Sequence, residues 1–168
     1  PGSPKDMNAE AFERIVSKLK KRFAYLLTDA PAGIERGLRN LIPAADHCLM
    51  VVTPDDVSMR DAEQVLALLD AADKPRPLLV VNRVVEDMVA RDEMYSPQTV
   101  ANVLDVPLLG YIPEDRAVLG ALKEHVSFMD VDCPAARAVE RICQRFLGEY
   151  LPMPAPKKAR RFLGWARA

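Results

Sequence analysis

Glycine is scarce in this 168-residue chain, with 7 residues against 14 prolines, and histidine (2), tryptophan (1) and cysteine (3) are rarer still. The two histidines, His47 and His125, stand far apart, and neither has an evident carboxylate or cysteine partner at a ligand spacing. A histidine-based metal or acid/base site is therefore not indicated. Cys48, Cys133 and Cys143 are odd in number and show no C-x-x-C spacing, which argues against a disulfide framework or a zinc site and fits a reducing cytoplasm. No apolar run approaches 18 residues, and no charged-then-apolar leader opens the chain, so neither a spanning helix nor an export signal is predicted. The first residue is Pro1, from which we expect an N-terminal part to precede it.

What is present has the balance of one globular domain: 49% hydrophobic and 28% charged residues. The formal net charge of -1 hides an uneven distribution. Five basic residues, Lys157, Lys158, Arg160, Arg161 and Arg167, and no acidic ones fall in the last twelve positions. A weakly acidic body ends in a basic tail, and the tail is the part suited to a polyanion or an anionic membrane.

Short apolar runs alternate with helical patterns. Ala24 to Thr28, Cys48 to Thr53, Leu78 to Val81 and Leu108 to Ile112 do not alternate cleanly, so they read as strands buried on both faces. Ala9 to Lys21, Glu35 to Leu41, Ser58 to Ala72, Ser96 to Leu104 and Pro134 to Leu147 read as helices. In the last of these, Val139, Ile142, Cys143 and Phe146 share one expected buried face. Ser58-Met-Arg-Asp61 is a capping-box variant, and Ser96-Pro97 pairs a capping hydroxyl with proline at the first helical position. The pattern predicts an α/β domain with a mostly parallel sheet and flanking helices over residues 1–149. Tyr150 to Pro156 carries three prolines and reads as a stiff linker over 150–156.

Ligands of open α/β sheets bind beyond the carboxyl ends of the strands. Those ends carry Asp29-Ala-Pro-Ala-Gly33, Thr53-Pro-Asp-Asp56, Asn82-Arg83 and Pro113-Glu-Asp115. Asp29 has the position of a carboxylate that holds a Mg²⁺-bound water, with Gly33 admitting backbone close to a γ-phosphate; an ordinary strand-to-turn Asp-x-Pro has the same pattern. Asn82 offers both a donor and an acceptor to a purine edge, and equally serves in a turn. Asp55-Asp56 reads as a helix start and not as a metal site. Missing altogether is a G-x-x-x-x-G-K-[ST] loop to hold phosphates.

Placed on a helical wheel, residues 157–168 gather Ala159, Phe162, Leu163, Trp165 and Ala166 in one arc, with Arg160, Arg161, Gly164 and Arg167 opposite. Aromatic and aliphatic residues against arginines are the composition of a helix lying in a membrane surface. So short a helix is marginal in water and forms when an interface rewards it.

Several runs occur in the order seen in the MinD family: Asp29-Ala-Pro-Ala-Gly-Ile-Glu35, Thr53-Pro-Asp-Asp-Val-Ser-Met-Arg-Asp-Ala62, Val81-Asn-Arg83, Asp87-Met-Val-Ala-Arg91, Met94-Tyr-Ser96, Leu109-Gly-Tyr-Ile-Pro-Glu-Asp115 and Phe146-Leu-Gly-Glu149. The chain thus resembles the septum-site-determining ATPases of bacterial division, deviant P-loop proteins, over roughly their last two-thirds. The resemblance implies ATP and Mg²⁺ as cofactors. It makes Asp29 the switch II carboxylate acting on Mg²⁺ through water and Pro31, Ala32 and Gly33 the γ-phosphate-sensing loop. It makes Asn82, with Arg83, the adenine reader and Pro113 part of the loop bordering the base.

The same resemblance implies an ATP-dependent homodimer, MinC-like and MinE-like partners, no nucleic-acid ligand, and a cytoplasmic protein peripheral on the inner face of the membrane. It places the family's phosphate-binding loop before residue 1, so this chain alone is expected not to hydrolyse ATP. It also places the strand of that loop between Ala24 to Thr28 and Cys48 to Thr53. Without it, two rows of backbone groups would lack partners, and the isolated chain is expected to aggregate or rearrange. A non-catalytic membrane adaptor and a DNA-partition relative are the alternative readings.

Overall fold

The computed structural model describes residues 9–30 and 36–154. The chain runs through α1 (Ala9–Leu19), α2 (Arg36–Leu41), a 3₁₀ turn, β1 (Leu49–Val52), α3 (Asp56–Ala71), β2 (Leu78–Val84), α4 (Glu86–Ala90), α5 (Pro97–Leu104), β3 (Leu108–Pro113), α6 (Arg116–Lys123), a second 3₁₀ turn and α7 (Pro134–Phe146). The three strands form a parallel sheet in the order β1-β2-β3, with Leu49 opposite Leu78 and Leu79 opposite Leu108.

β2 is central and carries apolar residues on both faces. Leu79, Val81 and Val84 face α3 and α5, where they meet Met50, Val52, Met59, Ala62, Leu66, Val100, Ala101 and Leu104. Val80 faces the opposite way, with Leu109 and Ile142 of α7. Leu79, Val81 and Val100 are fully buried, and each such side chain stabilises the fold by about 1.5–3 kcal/mol through burial. Both faces of β2 are covered, which explains why its sequence reads as an unbroken apolar run.

Helix starts follow local chemistry. Ser96 accepts from the Thr99 amide at 3.0 Å with Pro97 next to it, as its sequence predicts. α3 begins two residues before the expected Ser58, because Asp55 is the capping residue and accepts from the Ser58 amide at 3.0 Å. Asp55-Asp56 does start a helix. The Ser58 hydroxyl turns back instead and accepts from the Thr53 amide at 3.0 Å.

Three expectations are corrected. Residues 24–28 form no strand: Tyr25 is 67% and Leu27 89% exposed. A strand is defined by its ladder, and no described strand lies alongside to supply one. β1 is consequently an edge, and Leu49 and Val51 remain open on the face that α7 covers only over β2 and β3. Cys143 is exposed, and the buried face of α7 is made by Ala135, Ala136, Ala138 and Ile142. Cys48 precedes β1 and is half-buried, and that burial pushes its thiol pKa up. The amphipathic tail, residues 157–168, lies outside the described residues.

Candidate functional site

The carboxyl end of the sheet is irregular where the sequence singles out Asn82 and Arg83. The β2 to β3 register breaks between Val81 and Val84, and the ladder resumes with Val84 opposite Pro113. Arg83 has φ 60°, in the left-handed region that non-glycine residues rarely occupy. The Asn82 side chain stabilises this bend, because its Oδ1 accepts from the Arg83 amide at 2.9 Å. That bond orients the amide group: one lone pair of Oδ1 is engaged, and Nδ2 is turned away as a donor.

Arg83 then reaches across the sheet end and donates from Nε to Glu114 at 2.9 Å, while the Glu114 amide donates to the Val84 carbonyl at 2.9 Å. Glu114 raises the pKa of the Arg83 guanidinium by hydrogen bonding and charge. Asn82, Arg83 and Pro113, three of the expected site residues, thus come together. A displayed amide donor beside a half-buried proline ring is a setting suited to a purine edge and face.

Asp115, next in the chain, joins two helices. Its carboxylate accepts from the Ala117 amide at 2.9 Å, starting α6, and from the Ala135 amide at 3.1 Å in the first turn of α7. These two amides, Ala117 first, hold its pKa below the usual carboxylate value. Nothing in the sequence pattern beyond an Asp before a helix signals this double role. Tyr111 donates to Glu86 at 3.0 Å, tying β3 to α4, and burial followed by that bond raises its pKa.

The loop after β1 and the connection between α4 and α5 frame a groove of about 640 Å³ lined by Asp55, Asp56, Asp92, Glu93 and Tyr95 among others. Tyr95 donates to Asp56 at 3.0 Å. Four carboxylates make this groove unsuited to a polyphosphate. The residues that line this groove do not include Asn82, Arg83 or Pro113.

Asp29 is exposed, and among the described residues no hydrogen bond or ion pair ties it to this edge. Pro31, Ala32 and Gly33 lie outside the described residues, as do Lys157, Lys158, Arg160, Arg161, Phe162, Leu163, Trp165 and Arg167. Among the described residues, no cluster of three or more His, Cys, Asp or Glu could hold a metal ion, and no helix is long and apolar enough to cross a membrane.

Comparison with known proteins places this architecture. The family model for cellulose biosynthesis protein BcsQ, a ParA/MinD-type family, matches residues 3–147. The septum site-determining protein MinD of Helicobacter pylori is 37% identical over 85% of this chain and 56% of its own length. The chain of the MinC:MinD complex of Aquifex aeolicus superposes with a TM-score of 0.83 at 31% identity, over 89% of this chain and 63% of that one. MinD of Pyrococcus horikoshii, solved with Mg-ADP, shares the fold with a TM-score of 0.70 at 21% identity, over 83% of this chain and 56% of that one. This chain therefore spans less than two-thirds of the proteins it matches. With the parallel sheet, its order and the ordered motifs agreeing, the chain belongs to the MinD family within the ParA/MinD group of ATPases.

Proposed function

We propose that this chain is the base-reading and membrane-targeting part of an ATP-dependent regulator of division-septum placement. The observation that carries the reading is the bend at Asn82-Arg83, which displays a fixed amide donor beside Pro113 and Glu114 at the carboxyl end of the sheet. Nδ2 can donate to the purine N7, and the second lone pair of Oδ1 can accept from the adenine amino group. Guanine offers a carbonyl there, which would face the oxygen and lose that bond. The described residues fit the base and offer no phosphate cradle; Asp29 would act on Mg²⁺ through water.

Bound ATP supplies a γ-phosphate whose hydrolysis, mostly by positioning and charge stabilisation, would reset the switch. The residues of this chain read the base at Asn82 and report the phosphate state through Asp29 and Pro31 to Gly33. ATP-driven pairing of two chains would set two basic tails on one anionic membrane, making the second insertion effectively intramolecular. Each tail alone, with Phe162, Leu163 and Trp165 as its large apolar groups, would bind weakly and reversibly, each cation adding about 1 kcal/mol near an anionic surface. The Aquifex relative is solved with MinC, and a MinC-like protein is the partner we assign, with a MinE-like regulator as a further one.

Two measurements on the full-length protein test this. Asn82→Ala should lower the preference for ATP over GTP about tenfold, consistent with loss of one hydrogen bond to a buried edge; an unchanged preference overturns the base assignment. Wild-type protein with ATP should pellet with anionic vesicles and not with neutral ones, Trp165→Glu should abolish this, and Arg160→Ala should retain it. Binding to DNA in place of vesicles would instead favour a partition function.

A further inference from the structure

The end of α7 holds an unusual arrangement. Arg145 donates from Nε to the Leu151 carbonyl at 2.9 Å, from Nη2 to the Pro152 carbonyl at 2.8 Å, and from Nη1 to the Leu109 carbonyl at 3.2 Å. No acidic side chain among the described residues pairs with it. Burial, with Arg141 nearby, lowers its pKa. The guanidinium is thus a staple of three carbonyl dipoles, joining α7, the first residues of β3 and the chain after α7. Its planar fork of five donors allows one side chain to hold three acceptors.

Two glycines make the staple possible. Gly148 has φ 94°, and the amides of Gly148 and Glu149 return to the Arg145 and Gln144 carbonyls, each at 3.0 Å, so the chain reverses as α7 ends. Gly110 lies in β3 directly under the helix. A Cβ there would stand 2.5 Å from Ile142 Cγ1 and 3.2 Å from Arg145 Nη1. The missing side chain admits both the helix and the guanidinium.

Leu109 is near the start of β3, about 13 Å along the strand from Pro113. The chain following α7 is therefore fastened at the end of the sheet opposite the candidate base edge. His47, just before β1, stacks edge-on against Phe146 with ring centroids 6.3 Å apart, which fixes the same end of α7 from the other side.

We propose that Arg145 is a positioning residue for membrane attachment: by pinning Leu151 and Pro152 it fixes the point and direction from which the basic C-terminal segment leaves the domain. The inference rests on the membrane reading above. Pinning shortens the tether between the folded body and residue 157 from the whole of 148–156 to the residues after Pro152. For two paired chains, effective concentration falls roughly as the −3/2 power of tether length once the span is exceeded. Releasing the staple should therefore weaken two-tail binding about three- to tenfold and leave one-tail binding unchanged.

The test uses full-length protein and vesicles rich in phosphatidylglycerol, comparing wild type, Arg145→Gln, Arg145→Lys and Arg141→Gln with ATP and with ADP. We expect Arg145→Gln to bind three- to tenfold more weakly with ATP and equally with ADP, with Arg141→Gln, which removes the same charge, behaving as wild type. Chymotrypsin should cut Arg145→Gln faster after Tyr150 at an unchanged thermal midpoint. Arg145→Lys, a point charge unable to bridge three carbonyls, should fall between and serves as the readout if the glutamine variant does not fold. Equal binding of Arg145→Gln and wild type with ATP, or the same loss with ADP or in Arg141→Gln, overturns the assignment. Wild-type protein that ignores vesicles removes the membrane reading and this inference together, whereas intact wild-type binding with an unaffected variant sinks only the role of Arg145.

Discussion

Asp115 shows how one carboxylate can set the geometry of a site it does not line. By capping α6 and also binding the first turn of α7, it fixes the exit of Pro113 and Glu114 from β3. Asp115→Ala removes both bonds and should cost about 1–2 kcal/mol at neutral pH, a cap at one helix and a bond at a second. Its folded pKa lies below its unfolded value of about 3.9. The stabilisation is therefore present above that value and lost as pH falls through the folded one. Urea unfolding of wild type and variant should show a clear difference at pH 7 that shrinks toward pH 3, and an undiminished difference at pH 3 would refute the charge-based account. Asn82 was legible as a candidate because it ends an apolar run. The left-handed Arg83 was not, since nothing in the residue name forecasts a positive φ that depends on Asn82 Oδ1 and Glu114 together.

Elements that carry their own start and core signals were readable from sequence; those defined by neighbours were not. α5 combines Ser96, Pro97 and buried Val100, Ala101 and Leu104, and it forms where its pattern says. α4 is too short, at five residues, for periodicity to show, and α6, though as long as α5, lacks the Ser-Pro start of α5 and buries only Ala121. The run at 24–28 has strand composition, yet its ladder partner is not among the described strands, so composition alone misled. Cys143 looked like core because apolar spacing ignores which side of α7 faces β3. The α7 to β3 contact itself depends on Gly110. Gly110→Val would drive two methyl groups into Ile142, and since the nearer contact is part of a packed helix the cost should be about 1–3 kcal/mol. Thermal unfolding should show a lowered midpoint, partly restored by adding Ile142→Ala; no restoration would show that the clash lies elsewhere.

For the molecule as a whole, the open side of β1 dominates. Its outer backbone row, without a strand partner among the described residues, is flanked by Leu49, 41% exposed, and Val51, 59% exposed. Exposed apolar edges template association with other chains. The 168-residue chain produced alone should self-associate, visible by light scattering, and Val51→Lys should shift it toward monomer; a soluble monomer with cooperative unfolding without that change would contradict the edge argument. Even the wild-type chain, however, has one advantage in reaching this fold. Because the strand order β1-β2-β3 is also the order of the chain, each strand pairs with the one before it across a single intervening segment. Loop-closure cost is therefore met in equal small steps, and the sheet can be laid down as the chain leaves the ribosome, each new strand docking on one already made. Growth proceeds away from β1, so the side that is finished first is also the side that nothing made later in the described chain will cover.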